Sequence, residues 1–268
     1  MDKYQFDREN HIHKLNDEYL TGTTTALSIL QPPLTWWASG LAVAHLGWFN
    51  DSKSSKNYIP QEIGFPKLEK RFEEIRKMTT EEYQKELNLA YKAHSVRLKD
   101  AGQKGTDTHE LVERFIKSQI NGTKFEIGDE PELQKRQVGE FIEWASQNIK
   151  KFIWSEICTY SKIHKVGGIS DFGYIDMEDR LIIGDIKTGK DIYEEQFIQA
   201  GAYDMQLSES GGYNDQGEQL LAVQSSIQGY TIVLLPKEGT IKVGHSYNRK
   251  AQQEAFLAAL LLFRHLKK

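Results

Sequence analysis

Two aspartates and a lysine are set into one short run of strand-forming residues, and no other feature limits the fold as tightly. From Gly168 to Lys187 the sequence reads GISDFGYIDMEDRLIIGDIK. Val166 to Ile175 is rich in aromatic and β-branched residues, Asp176 to Asp179 is a polar turn, and Leu181 to Ile183 is a short apolar run closed by a glycine. This pattern predicts a β-hairpin turned at Met177 to Asp179. Side chains alternate along a strand, so Asp185 and Lys187 share a face, and the hairpin brings Asp171 back beside Asp185. Charges buried at the end of an apolar sheet are costly unless paired groups and a cation satisfy them. Oxygen donors without thiolates suit Mg2+ or Mn2+ better than Zn2+.

Further motifs flank this segment. Gln199 and Tyr203 lie one turn apart on a helix expected over Glu194 to Leu207. Upstream, Gly105-Thr106-Asp107-Thr108-His109-Glu110-Leu111-Val112-Glu113 opens a helix expected over Lys104 to Ile120, with His109 and Glu113 on one face. The order Gly168-x-x-Asp171, hairpin, Asp185-x-Lys187, Gln199-x-x-x-Tyr203 resembles the PD-(D/E)XK nuclease superfamily. Within it, the likeness is to the RecB-like and phage exonuclease branch, whose Gly-Thr-x-x-His-x-x-x-Glu signature the segment from Gly105 also resembles. Ser170 stands where the superfamily's name has proline.

The resemblance implies an α/β (α+β) restriction-endonuclease-like core, a central mixed β-sheet flanked by helices, with an extra N-terminal helical region. The sequence shows no internal repeat and no low-complexity linker, so a single domain over 1–268 is expected, divided into a mainly helical elaboration at 1–100 and a nuclease core at 101–268. Asp171, Asp185 and the Ile186 carbonyl are then expected to hold Mg2+ or Mn2+, with His109 completing the shell. Lys187 is expected to orient the attacking water, and Gln199 and Tyr203 to border the site. The implied activity is metal-dependent DNA hydrolysis, as an exonuclease leaving 5′-phosphate and 3′-hydroxyl ends, in phage or bacterial recombination and repair. The implied partner is DNA, with a homo-oligomer or a phage recombination protein as further partners. Glu156 falls in the first expected core strand, Phe152 to Tyr160. Its place fits a solvated edge residue or, as in relatives, a carboxylate near the metal.

Other segments read more plainly. His11 to Leu20 alternates weakly, as a small hairpin or ribbon. Thr21 to Thr25 offers capping oxygens before Ala26 to Leu30. Leu34 to Phe49, with Trp36, Trp37 and Trp48, reads as a buried helix in preference to a base-stacking platform. Asn50 to Pro66 is a polar loop. Helices follow at Lys67 to Met78 and, opened by a Thr79–Glu82 capping box, at Thr80 to Lys99; another spans Glu130 to Lys150. Strands are expected at Ser226 to Leu235 and Thr240 to Tyr247, then a helix capped by Asn248.

Composition sets bounds. The chain has 268 residues, 39% hydrophobic and 27% charged, as in a globular protein. The net charge of −4 gives no overall basic field for a polyanion. A single cysteine, Cys158, excludes an intramolecular disulfide and a four-cysteine iron–sulfur cluster. The start MDKYQFDREN is polar, and the longest apolar run, Ala255 to Phe263, is well short of the roughly 20 residues that span a bilayer. A cytoplasmic protein without membrane contact is the expectation. Gly184 to Lys190 also has the spacing of a phosphate-binding loop, but Asp191 replaces the required Ser or Thr and Asp185 would put negative charge in the cradle. Two other readings stay open: a catalytically silent DNA-binding or assembly module, and a metal hydrolase of small phosphoesters.

Overall fold

A computed structural model describes residues 2–31, 35–48 and 68–267. The chain divides into two compact units, residues 1–31 with 105–268, and residues 32–104.

The first unit is a mixed α/β structure around one large sheet. Its strands are β1 (Tyr4–Asp7), β2 (Ile12–Leu15), β3 (Glu18–Tyr19), β4 (Thr21–Gly22), β5 (Ile149–Ser161), β6 (Val166–Asp176), β7 (Leu181–Lys187), β8 (Gly212–Tyr213), β9 (Gln219–Leu221), β10 (Ile227–Leu234) and β11 (Lys242–Ser246). The main sheet runs β11-β10-β7-β6-β5-β8-β9, with β4 added to β6. β7 and β10 pair in parallel, as do β4 and β6, whereas β5–β6 and β6–β7 are antiparallel. β1 to β3 form a separate ribbon; its β2–β3 hairpin falls in His11 to Leu20, where a small hairpin or ribbon is expected, whereas β1 stands in a region expected to be mainly helical.

Helices cover both faces. Among the described residues the α-helices are α1 (Thr23–Leu27), α2 (Thr35–His45), α3 (Leu68–Ile75), α4 (Thr80–Asn121), α5 (Glu132–Asn148), α6 (Glu194–Ser210) and α7 (Arg249–Leu266). On one face Leu111, Val112 and Ile116 of α4 and Val138 and Phe141 of α5 pack on Phe172, Ile182, Ile186 and Val233. On the other, Phe197, Ala200, Tyr203 and Leu207 of α6 pack on Trp154, Leu181, Ile183 and Ile232. α7 lies behind α6 through Phe256, Ala259 and Leu260. A strand covered on both faces reads as a continuous apolar run, and β7 is buried from Leu181 to Ile186. Its alternation sends Ile182 and Ile186 toward α4 and α5, and Leu181 and Ile183 toward α6. Asp185 and Lys187 therefore share the α6 side. Gly184 and Asp185 lie inside this strand, so the phosphate-loop spacing there forms no cradle.

The second unit contains α2, α3 and the N-terminal part of α4. The Thr79–Glu82 capping box is present: Thr79 N–H donates to Glu82 Oε2 at 2.7 Å, and Glu82 N–H to Thr79 Oγ1 at 3.3 Å. The two helices expected over Thr80 to Lys99 and Lys104 to Ile120 are one continuous α4, which runs through Gly102 and Gly105. In α2, Leu41 and Ala44 are buried, but Trp37 is partly exposed, as is Trp48 just beyond, so the helix is not buried all round. The loop expected at Asn50 to Pro66 lies outside the described residues. No described helix is long and apolar enough to cross a membrane.

Candidate metal centre

The site lies where the β6–β7 ladder stops. Pairing runs from Ile175↔Leu181 to Phe172↔Gly184 and goes no further, so Asp171 and Asp185, next in register, are not ladder partners. Ile186 N–H instead donates to Asp171 Oδ2 at 2.8 Å, so a carboxylate takes the place of the missing strand carbonyl. His109 enters from α4, with Nδ1 3.7 Å from the same Oδ2. Glu156 comes from β5, where its φ of 49° is left-handed inside an otherwise extended strand. Donor atoms of His109, Glu156 and Asp171 all lie within 4.8 Å of one another.

Asp185 is not in that trio. Its carboxyl is 1% exposed and meets Lys187 Nζ 2.6 Å from Oδ2, an ion-pair contact lacking hydrogen-bond angles, while Oδ1 has no partner among the described residues. The ammonium donates to Gln199 Oε1 at 3.1 Å, and Gln199 Nε2 donates to the Tyr203 hydroxyl at 2.7 Å. The one-turn spacing of Gln199 and Tyr203 thus builds a chain of contacts that fixes Lys187. α6 carries it: Tyr193 N–H bonds Gln196 Oε1 at its start, acids fill the first turn, and Gly211 with φ 79° ends it.

Gly168 makes room for this chain. A Cβ there would lie 2.6 Å from Tyr203 Cε1 and 2.7 Å from Thr23 Oγ1. Gly168→Ala is therefore expected to destabilise the fold by about 1–3 kcal/mol and to displace Tyr203. Gly189→Ala, with nothing within 4 Å of its Cβ, serves as the control. Equal thermal denaturation of the two variants would refute the close-approach argument.

Electrostatics fit a cation. Burial, then the Lys187 charge, pushes His109 down to about 4, against the main chain of Ile186 and nearby carboxylates. Its imidazole is neutral near pH 7 and offers a lone pair. Burial, reinforced by Asp171 and Glu113, pushes Glu156 up to about 8, against Arg8 and Lys117. Burial pushes Asp185 up to about 6 despite Lys187, with Asp171 adding to the rise. Asp171 is raised by burial in the same way. Burial alone would lower Lys187, but Asp185 and Asp171 outweigh it, so the ammonium stays protonated. Asp185 is raised because burial outweighs the attraction of Lys187, and Lys187 is raised because two carboxylates outweigh the burial of its one ammonium.

Three converging donors, an orphaned buried Asp185 oxygen and carboxyls crowded above their ordinary range make a set that a divalent cation would satisfy. The oxygen-rich donors match Mg2+ or Mn2+. Every residue singled out from the sequence, His109, Glu156, Asp171, Asp185, Ile186, Lys187, Gln199 and Tyr203, belongs to the first unit and lies in or beside this site. Arg8 and Asp215 were not singled out. Arg8 Nη1 is 3.8 Å from Glu156 Oε2, and no local motif marks it. Glu113 had a readable signal, its i,i+4 spacing from His109; it pairs with Lys117 beside the cluster. No protein-family model matches the chain, and no curated protein matches it significantly.

Proposed function

We propose that the chain is a divalent-metal-dependent DNA nuclease with a restriction-endonuclease-like core, of the RecB-like and phage exonuclease kind. The observation that carries the reading is the meeting of Asp171, Asp185 and Lys187 at the end of the β6–β7 ladder, with His109 and Glu156 completing a donor set. A structural ion pair needs neither the converging donors nor the orphaned Asp185 oxygen.

His109, Glu156 and Asp171 would hold the cation, with Asp185 beside them. When bound, Mg2+ or Mn2+ supplies charge neutralisation at a phosphoryl group and a lowered pKa for a nearby water. Lys187, kept protonated by its two carboxylates, acts as a fixed cationic donor to charge developing on a phosphoryl oxygen, not as a base. Gln199 and Tyr203 hold its Nζ in place. By resemblance, the products carry 5′-phosphate and 3′-hydroxyl ends, and the setting is phage or bacterial recombination and repair.

The test is a time course on end-labelled linear duplex, linear single strand and closed circular DNA, with Mg2+, Mn2+ or EDTA, beside Asp171→Asn. Metal-dependent loss of linear DNA that Asp171→Asn abolishes is expected, and sparing of the circle identifies an exonuclease. DNA bound but never cut would leave a silent binding module and overturn the nuclease reading. Cleavage of a small phosphodiester that DNA does not inhibit would move the activity to small phosphoesters.

A further inference from the structure

A polyanion that reaches this site meets Asp171, Asp185, Glu156 and Glu113 together, in a chain whose net charge is −4. The cations beside them are mostly engaged. Lys187 is held by Asp185 and Gln199, and Lys117 is paired with Glu113. Arg8 is different. It follows β1, whose Tyr4 and Phe6 are buried against Cys158 and Tyr160 of β5, so the ribbon fixes where the arginine emerges. Asp215, in the β8–β9 turn, grips the guanidinium through two hydrogen bonds, Nε to Oδ2 at 2.9 Å and Nη2 to Oδ1 at 3.1 Å. That turn is itself tied to the ribbon, because Phe6 N–H donates to the Asp215 carbonyl at 3.0 Å. Nη1 is left 3.8 Å from Glu156 Oε2, beyond hydrogen-bond range. The side chain is 52% exposed.

We infer that Arg8 is a substrate-positioning residue that holds a phosphate of the nucleic-acid strand beside the metal centre, an assignment that rests on the nuclease reading above. A guanidinium has five N–H donors in a rigid fork that matches phosphate oxygens. With one edge clamped by Asp215, the Nη1 edge is pre-oriented and costs little ordering to use. Its place beside Glu156 offsets repulsion between the carboxylates and an approaching phosphodiester. The phosphate is either internal to the strand or at its end, and the chemistry of recognition is the same.

The experiment is fluorescence anisotropy of a short labelled duplex, prepared with and without a 5′-phosphate, in Ca2+ without Mg2+, over a range of salt. The full chain is compared with Arg8→Ala and Arg8→Lys. Arg8→Ala is expected to weaken binding about tenfold and to reduce the slope of log K against log salt by about one. Arg8→Lys is expected to keep the slope while losing part of the affinity. A purely structural strap would lower thermal stability without moving the salt slope. Loss on both duplexes assigns an internal phosphate, and loss confined to the phosphorylated duplex assigns the terminal one. Wild-type affinity and slope in Arg8→Ala overturn this inference alone. Absence of both binding and cleavage in the unaltered chain removes the nuclease reading and this assignment with it.

Discussion

Lys187→Ala is expected to reduce DNA cleavage by at least about 10²-fold at saturating substrate, the order of loss seen when one preorganised donor to a developing oxyanion is removed. It should also weaken the metal-free fold. Asp185 is 1% exposed, and Lys187 Nζ at 2.6 Å is its counter-charge. Breaking such a pair from one side costs about 3–5 kcal/mol when both groups are fully buried. The lysine side chain is 24% exposed, so the lower end applies. Metal affinity should hold or improve, since a competing cation has left the carboxylates. Calorimetry with Mn2+ and single-turnover cleavage separate these effects. Undiminished cleavage in Lys187→Ala would remove the lysine from the chemistry. Lost metal binding would mean instead that its role is to assemble the carboxylates.

Divalent cation should stabilise the chain strongly, and more so at high pH. The sign follows from the carboxyls. Glu156 at about 8 and Asp185 at about 6 lie above their ordinary values, so the metal-free fold retains protons that the unfolded chain releases. Their contribution is fully present below the unfolded pKa values, and it is lost as pH rises through about 6 and then about 8. His109, depressed to about 4, acts oppositely and withdraws stability as pH falls below its unfolded value toward 4. A bound cation replaces the protons on the carboxyls and must displace them to bind. At a hundred times its Kd, Mn2+ contributes about 2.7 kcal/mol, roughly 5–10 °C in Tm for a chain of this size. At a fixed Mn2+ concentration that gain should grow from pH 6 to pH 8, and it should vanish in Asp171→Ala. A pH-independent gain, or one retained in that variant, would place the cation elsewhere.

The parts of the site carried by local pattern were legible in the sequence. Alternation placed Asp185 and Lys187 on one face of β7, the polar turn placed the hairpin, and one-turn spacing paired Gln199 with Tyr203. Each depends on a repeat of two or 3.6 residues, which the sequence itself displays. What needed tertiary knowledge was not legible. The continuity of α4 is one case, since Gly102 and Gly105 are poor helix formers and yet lie inside it. Strand β1 is another: it gains stability from burial of Tyr4 and Phe6 on Cys158 and Tyr160, more than 150 residues away in sequence. The Arg8–Asp215 grip spans 207 positions and has no local signature. Sequence order also could not separate Glu156 and Asp171, which meet His109, from Asp185, which pairs with Lys187.

Glu156 has a wider meaning. A left-handed residue with a side chain costs of order 1 kcal/mol or more, and glycine would relieve it. In this strand of 13 residues, the left-handed turn falls at one of the three side chains whose donor atoms lie within 4.8 Å of one another. On the proposed function, stability and activity are opposed at one backbone angle. Anyone optimising this chain as an inert scaffold would begin at that position, and anyone preserving its chemistry would leave it untouched.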